Sequence, residues 1–578
     1  MGSDHNKAFQ SKIHSLLGSI YDSGTAQSLT DEIVSRVSNL NAQAKQQDKW
    51  SEQDTILITY GDSIKDAQKQ PLKSLETFLS DHLTDIISCV HILPFFPYSS
   101  DDGFSVIDFN QVDPELGDWE NIQSIGNTFE LMFDLVLNHM SSQSEWFQKF
   151  LENDPEFKDF FIQLDKDNFD TANVVRPRAS SPFVPVKVGG QGSHVWATFS
   201  HDQIDLNFDN PRVLLKVIDI ILFYFKNKAK FIRLDAVGFL FKRSGTSCIH
   251  LPETHAAIKL IREIAEAANQ QSVIITETNV PNKENLSYFG NGNEAHMIYN
   301  FSLPPLILHA LIKGTSRSLK TWMMSMPPSL PGCCYLNFTA SHDGIGLRPL
   351  EGLIPAEEVA ELIDIMKQHG GAISYRATAE GKKVPYEINV SLYDAYKGND
   401  NSEDQLQRER FLCSQVIMMG LEGIPAFYIH SLLATENDYE GMKERGHNRA
   451  INRHRWDYSL LNQDLASDSE RARIFSDLKD LIKKRKKQPA FHPNATQFTI
   501  QLGDQIFAFW RQSLDRKQSI FCIHNVTASN VSFTIADINL VITDDWFDII
   551  SQKDITDSVT EMELAPYECL WISNYRTS

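Results

Sequence analysis

The segment Phe231-Ile-Arg-Leu-Asp-Ala-Val237 decides how the chain is read. Its first part, Phe231 to Leu234, is a short run suited to burial on both faces, and it runs straight into Asp235. Runs of this kind belong to parallel strands sandwiched by helices. The flanks supply those helices: Val213 to Phe225 before it and Thr254 to Ala267 after it carry apolar residues at helical spacing. Farther out, similar runs occur at Thr55 to Tyr60, Val90 to Phe95, Leu131 to Leu137, Val273 to Thr276, Met297 to Phe301, Tyr335 to Thr339 and Ala426 to Ile429. Eight runs alternating with helical patterns predict an α/β fold closed as a (β/α)8 TIM barrel.

Two intervals are longer than a βα unit needs: Ser141 to Leu206, after the third strand, and Gly344 to Asp400, after the seventh. They predict inserted domains at about 141–206 and 344–400, lying over the C-terminal mouth where such barrels place their chemistry. Residues 1–52 read as a helical extension and 53–490 as the barrel with its inserts. From about Ala495 the pattern turns to alternating strands (Phe498-Thr-Ile-Gln-Leu502, Gln505 to Trp510, Ser519 to Ile523), so 491–578 reads as a C-terminal β domain.

Composition excludes several classes of partner. The net charge of -21 over 578 residues repels nucleic acid and anionic membrane over most of the surface. The most apolar long stretch, Val213 to Phe225, is broken by Lys216 and Asp219, so no membrane span is expected. Seven cysteines, scattered from Cys89 to Cys569 without metal-ligand or disulfide spacing, point to a reducing compartment, and the protein reads as cytoplasmic. The run Lys483-Lys484-Arg485-Lys486-Lys487 reads as a solvated helix C-terminus favoured by the helix dipole. No cofactor signature is present, since Gly189-Gly-Gln-Gly-Ser193 reads as a turn and not as a nucleotide loop. Expected partners are small-molecule substrates, and the pattern carries no reading of oligomeric state.

Four polar clusters stand at the ends of predicted strands: Asp134 with Asn138-His139, Arg233 with Asp235, Glu277, and His342-Asp343. A strand buried on both faces has little reason to end in charge unless it ends at a functional surface. Paired carboxylates are what glycosidic-bond cleavage requires, one attacking or activating water and the other protonating the leaving oxygen, while a third can bind sugar hydroxyls. Arg233 lies two residues before Asp235, on the same side of the strand, and its charge is expected to keep that aspartate ionised.

The segments Asp134-Leu-Val-Leu-Asn-His139, Phe231 to Val237, Ile274-Ile-Thr-Glu277 and Phe338-Thr-Ala-Ser-His-Asp343 resemble, in order and spacing, the four hallmark regions of the α-amylase family, glycoside hydrolase family 13. The resemblance implies Asp235 as nucleophile, Glu277 as general acid/base and Asp343 as transition-state stabiliser, with Arg233, His139 and His342 as sugar-binding neighbours. Further stretches resemble the sucrose phosphorylase subfamily: His91-Ile-Leu-Pro-Phe-Phe96, Asp101-Asp-Gly-Phe104, Gly245-Thr-Ser-Cys248, Phe301-Ser-Leu-Pro-Pro305 and Ile451-Asn-Arg-His454. By that resemblance Asp101 and Arg453 hold glucosyl hydroxyls, Phe104 and Phe199 wall the sugar site, and Gln203 lies nearby. Asn138 matches a residue that binds calcium in many amylases. Calcium needs six to eight oxygens, no such set can be assembled here, and no metal is expected.

Release of a glucosyl-enzyme by phosphate needs cationic help near the sugar. Arg178, in Arg176-Pro-Arg178, matches the subfamily's phosphate-contacting position; the other reading of this pair is two structural arginines tying the insertion to the barrel. Val175 stands where sucrose phosphorylases carry tyrosine, which counts against a sucrose-type acceptor site. The stretches Arg348 to Pro355, Gly370 to Arg376, Val384-Pro-Tyr-Glu-Ile-Asn389 and Ala426 to Ala434 are more similar to the glucosylglycerate phosphorylases. This implies reversible phosphorolysis of 2-O-α-D-glucosyl-D-glycerate to α-D-glucose 1-phosphate and D-glycerate by a glycosyltransferase of the phosphorylase type. Arg348 is then the candidate for the glycerate carboxylate, with pairing to Glu351 as its structural alternative. Sucrose and glucosylglycerol are the alternative donors. An α-glucosidase or transglucosidase, or a non-catalytic carbohydrate-binding protein, are the more distant readings.

Overall fold

The computed structural model describes residues 3–38, 48–178, 180–377, 382–398, 405–538, 545–555 and 561–576. Eight parallel strands form the barrel: β1 (Ile56–Thr59), β2 (Cys89–Ile92), β3 (Glu130–Val136), β4 (Ala229–Asp235), β5 (Val273–Thr276), β6 (Met297–Tyr299), β7 (Cys334–Phe338) and β8 (Ile424–Tyr428). Each pairs with its sequence neighbours, and β1 with β8 closes the ring. Every predicted run supplies one strand, because a strand covered on both sides leaves an unbroken apolar trace in the sequence.

Helices α1 (Ser3–Leu17) and α2 (Ser23–Ser38) open the chain and pack on α3 (Pro211–Lys226) and α4 (Pro252–Ala268) of the barrel's outer layer. Their contact is a separate apolar cluster in which Ile13, Leu17, Leu29 and Ile33 meet Leu214, Ile218, Leu260 and Ile264. This explains the length of the apolar stretch in α3. Val213, Val217, Ile220 and Ile221 of the same helix face the barrel core, so α3 is buried on two sides. Among the described residues no helix is long and apolar enough to cross a membrane.

The interval after β3 carries the hairpin Phe183–Val188/Gln191–Trp196, turned by Gly189 and Gly190 at φ of +55° and +82°, and the short strand Gln203–Asp205 paired with His139–Ser141. Left-handed backbone at two successive turn positions is what glycine allows without strain. The interval after β7 carries Ile345–Gly346, Ala372–Ala377 and Lys383–Asn389 as one small antiparallel sheet. The far boundary of that interval, expected at residue 400, lies outside the described residues. The last part of the chain builds a five-stranded sheet, with Ile506–Gln512 and Ser519–Asn525 paired antiparallel, over a further apolar cluster that includes Phe521, Val531 and Leu564.

The basic run departs from its expected solvated state at one position. Arg485, near the end of helix Glu470–Lys486, is fully buried and donates to the carbonyls of Met419, Glu52 and Phe491. Burial lowers its pKa to about 9. A guanidinium that satisfies three orphaned carbonyls is structural, and the run's composition gave no sign of it.

Candidate active site

Asp134 on β3 and Arg233 on β4 are register partners, and Val136 is opposite Asp235, so the ladder sets these side chains at one barrel rim. Arg233 bonds to Asp134 and donates to Asp235 Oδ1 at 2.6 Å, while His91 Nε2 lies 2.7 Å from Asp134 Oδ2. The guanidinium lies 5.7 Å from the Phe104 ring centroid and 5.5 Å from that of Tyr299. A buried cation between two aromatic faces and two carboxylates is fixed in place.

The chain leaves β4 through Ala236 at φ +50°, and Ala236 N–H donates to Glu277 Oε2 at 3.1 Å. A left-handed alanine is strained backbone, held here by its surroundings, and it ties the two carboxylates together. Burial pushes the Asp235 carboxyl well above the ordinary carboxylate range, with Arg233 opposing and Glu277 adding to the shift. Burial also raises Glu277, again opposed by Arg233 and reinforced by Asp343. Arg233 therefore works against burial and does not by itself guarantee an ionised Asp235. Within the pair the Arg233 bond favours the ionised form of Asp235, while burial and Asp343 favour the protonated form of Glu277.

Asp343 follows β7, with its Oδ1 2.7 Å from Arg449 Nη1. His342 stacks on Phe104, with centroids 5.0 Å apart and planes at 4°, and His139 Nε2 donates to the Phe104 carbonyl at 2.9 Å. Burial lowers the pKa of both histidines, and Arg233 and Arg453 depress His342 further, so both are neutral imidazoles. Gln203 Nε2 donates to Asp101 Oδ2 at 3.1 Å, and Phe199 packs beside His139.

Asp101, Phe104, His139, Arg178, Phe199, Gln203, Asp235, Glu277, His342, Asp343 and Arg348 all line one open cavity of about 820 Å3. Two of the residues expected at the site do not line it. Arg233 lies behind Asp235, as its pairing requires. Arg453 stands beside the cavity wall: Nη1 bonds Asp102 Oδ2 at 2.5 Å, Nε bonds the His342 carbonyl, the group packs over Tyr60, and Nη2 lies 3.9 Å from Asp343 Oδ1. The left-handed turn at Asp101 and Asp102 aims one carboxylate at the cavity and the other away from it, and the second captures Arg453. Although burial raises the Asp102 pKa, His447 and Arg453 bring it below the usual range. A third arginine at the cavity wall, beside Arg178 and Arg348, is Arg449, which sequence reasoning missed. It bridges Asp343 and buried Glu387, whose Oε2 accepts from Nη2 at 2.8 Å. Glu387 Oε1 also accepts from Gly344 N–H at 2.7 Å and Asn389 Nδ2 at 2.6 Å.

At the mouth the two arginines of the first insertion part ways. Arg176 donates to the carbonyls of Thr198, Ala197 and Ser180, the structural role, and burial lowers its pKa to about 10. Arg178 faces the cavity with its guanidinium 5.8 Å from the Phe199 ring. Arg348 also faces it; its Nε is buried without a hydrogen bond, 3.8 Å from Glu351 Oε1. Behind this wall Asn138 meets an ammonium group. Lys242 Nζ lies 3.4 Å from Asn138 Oδ1 and 2.7 Å from Asp205 Oδ2, and it also bonds the Phe239 carbonyl. Among the described residues no group of three or more His, Cys, Asp or Glu is arranged to hold a metal ion.

A closed parallel barrel whose rim collects three carboxylates is the architecture of enzymes that transfer glycosyl groups. The family description of the α-amylase catalytic domain matches residues 81–344. Glucosylglycerate phosphorylase of Spirochaeta thermophila is 43% identical over 537 residues, 90% of each chain, and that of Escherichia coli is 40% identical over 567 residues, 97% of this chain and 99% of the relative. The crystal structure of sucrose 6F-phosphate phosphorylase from Thermoanaerobacter thermosaccharolyticum superposes with a TM-score of 0.73 at 25% identity, covering 91% of this chain and 99% of that one. The chain is a glycosyl-transferring enzyme. It belongs to the α-amylase family and, within it, to the family of the glucosylglycerate phosphorylases.

Proposed function

We propose that the protein catalyses reversible phosphorolysis of 2-O-α-D-glucosyl-D-glycerate to α-D-glucose 1-phosphate and D-glycerate by double displacement. Asp235 attacks the anomeric carbon as the protonated Glu277 gives its proton to the leaving glycosidic oxygen, releasing glycerate and a glucosyl ester on Asp235. Phosphate then attacks the same carbon, displaces Asp235 and loses a proton to Glu277, so the α configuration returns. Asp343 binds sugar hydroxyls more strongly as positive charge develops on the ring, and Arg233 stabilises Asp235 when it leaves. Asp101, His139, His342 and Gln203 meet the glucosyl hydroxyls, with Phe104 and Phe199 as apolar walls.

The observation that carries this reading is the pair Arg178 and Arg348 at the mouth of a cavity whose floor holds Asp235 and Glu277. Both groups that pass through the mouth, phosphate and glycerate, are anions, and a guanidinium suits either. Water or a neutral sugar as acceptor gives no use for two such cations. Arg178 is assigned to phosphate and Arg348 to the glycerate carboxylate. Glucosylglycerate, sucrose and glucosylglycerol, supplied at equal concentration with phosphate, test the assignment through release of glucose 1-phosphate. Glucosylglycerate is expected to be consumed at least about tenfold faster than either rival. Preferential turnover of sucrose, or glucose release that ignores phosphate, refutes it.

A further inference from the structure

The loop that carries Asp101 and Phe104 is strained, and a carboxylate outside the cavity holds it. Asp101, Asp102 and Gly103 are three successive residues at positive φ, +57°, +47° and +107°. Only the last is a glycine, and there a Cβ would come within 2.7 Å of the Pro94 carbonyl oxygen. Non-glycine residues in this region are strained and persist only where the surroundings over-determine them. Here four serine hydroxyls converge on Asp202. Its Oδ2 accepts from Ser99 and Ser100 at 2.5 Å and from Ser105 at 2.7 Å, and its Oδ1 accepts from Ser142 at 2.6 Å. Ser99 Oγ also lies 2.5 Å from Ser141 Oγ, and Ser142 N–H donates to the Asp202 carbonyl at 2.8 Å. Three of the four donors bracket the left-handed turn, and the fourth follows the short strand that pairs with Gln203–Asp205.

We propose that Asp202 is a positioning residue that sets the donor-sugar site: by gathering Ser99, Ser100, Ser105 and Ser142, it locks the strained turn so that Asp101 and Phe104 face the glucosyl group. It does not line the cavity and acts through those two residues. Burial opposes its charge, yet the four hydroxyls together hold its pKa below the usual carboxylate range, so the acceptor set is complete at neutral pH. Charge-assisted bonds from hydroxyls are short and strong, as these distances are. The next residue in sequence, Gln203, donates to Asp101, so the hub also fixes the spacing between loop and insertion.

This inference rests on the reading of the cavity as a glucosyl site, and equilibrium binding of α-glucose 1-phosphate to the intact enzyme separates the two. Wild-type enzyme that fails to bind it defeats that reading. If wild type binds, Asp202→Ala is expected to weaken binding about tenfold or more, and Asp202→Asn, which keeps the volume and one accepting oxygen, by an intermediate factor. In an Asp101→Ala background the further loss from Asp202→Ala is expected to shrink to about threefold or less, because the two residues act on one contact. A general loss of structure would not show that coupling, and Asp202→Asn supplies the same cycle if Asp202→Ala does not fold. Unchanged affinity in the single variant, or an equal loss in both backgrounds, overturns the proposal.

Discussion

At the scale of the residue, the chemistry turns on the protonation of Asp235 and Glu277, both raised by burial and both opposed by Arg233. Glu277 is raised by burial, so it keeps its proton above the ordinary carboxylate range and loses it as the pH rises through the raised value. The kcat/KM profile for glucosylglycerate is therefore expected to fall on the alkaline side through loss of the acid, and that limb should vanish in Glu277→Gln. The same variant should lose about 10²–10⁴-fold in kcat with glucosylglycerate, yet still form the glucosyl-enzyme from α-glucosyl fluoride, whose leaving group needs no proton. Equal losses with both donors would remove Glu277 from the acid role. For the anion sites, Arg348→Ala is expected to raise KM for glucosylglycerate by about tenfold or more while changing hydrolysis of glucose 1-phosphate far less. Equal effects on both would show Arg348 to be structural, tied to Glu351.

At the scale of the element, the first insertion is stitched to the barrel by buried charge. Lys242 pairs with Asp205 from the insertion and bonds oxygens of Asn138 and Phe239, and neither member of the charge pair lines the cavity. Removing one partner of a buried pair leaves the other charge unsolvated, which costs about 3–5 kcal/mol. Lys242→Met is expected to lower stability by about that amount in urea unfolding, and a loss under 1 kcal/mol would mean that the pair is readily replaced. The same elements show what sequence could convey. The eight strands were legible because each is a continuous apolar run, and the rim residues because each run ends in unexplained charge. Arg449 was not: its place depends on Glu387, brought beside it by the pairing of Ile345–Gly346 and Lys383–Asn389, which no local pattern encodes. The bond from Arg453 to Asp102 was not legible for a similar reason, since it depends on a left-handed turn that points neighbouring carboxylates in different directions. The burial of Arg485 within a lysine-rich run is likewise a tertiary fact.

At the scale of the whole molecule, we propose three units: the helical extension 1–52, the barrel 53–490 with its two inserts at about 141–206 and 344–400, and the β unit 491–578. Separate apolar clusters at the two ends of the chain support the division. The extension covers Leu214, Ile218, Leu260 and Ile264 on α3 and α4, so removing residues 1–47 exposes a contiguous apolar patch. The truncated enzyme is expected to self-associate and melt at a lower temperature while its remaining monomer keeps its kcat, since none of the extension's described residues lines the cavity. A monomeric, equally stable truncation would show that the extension contributes little. The most direct measurement of the central claim is capture of the covalent intermediate. Glu277→Gln enzyme incubated with α-glucosyl fluoride, then analysed by intact mass and peptide mapping, is predicted to carry one hexosyl ester on Asp235 that phosphate discharges as α-glucose 1-phosphate. A hexosyl group on another residue, or phosphate-dependent turnover that yields the β anomer with no adduct, would contradict it.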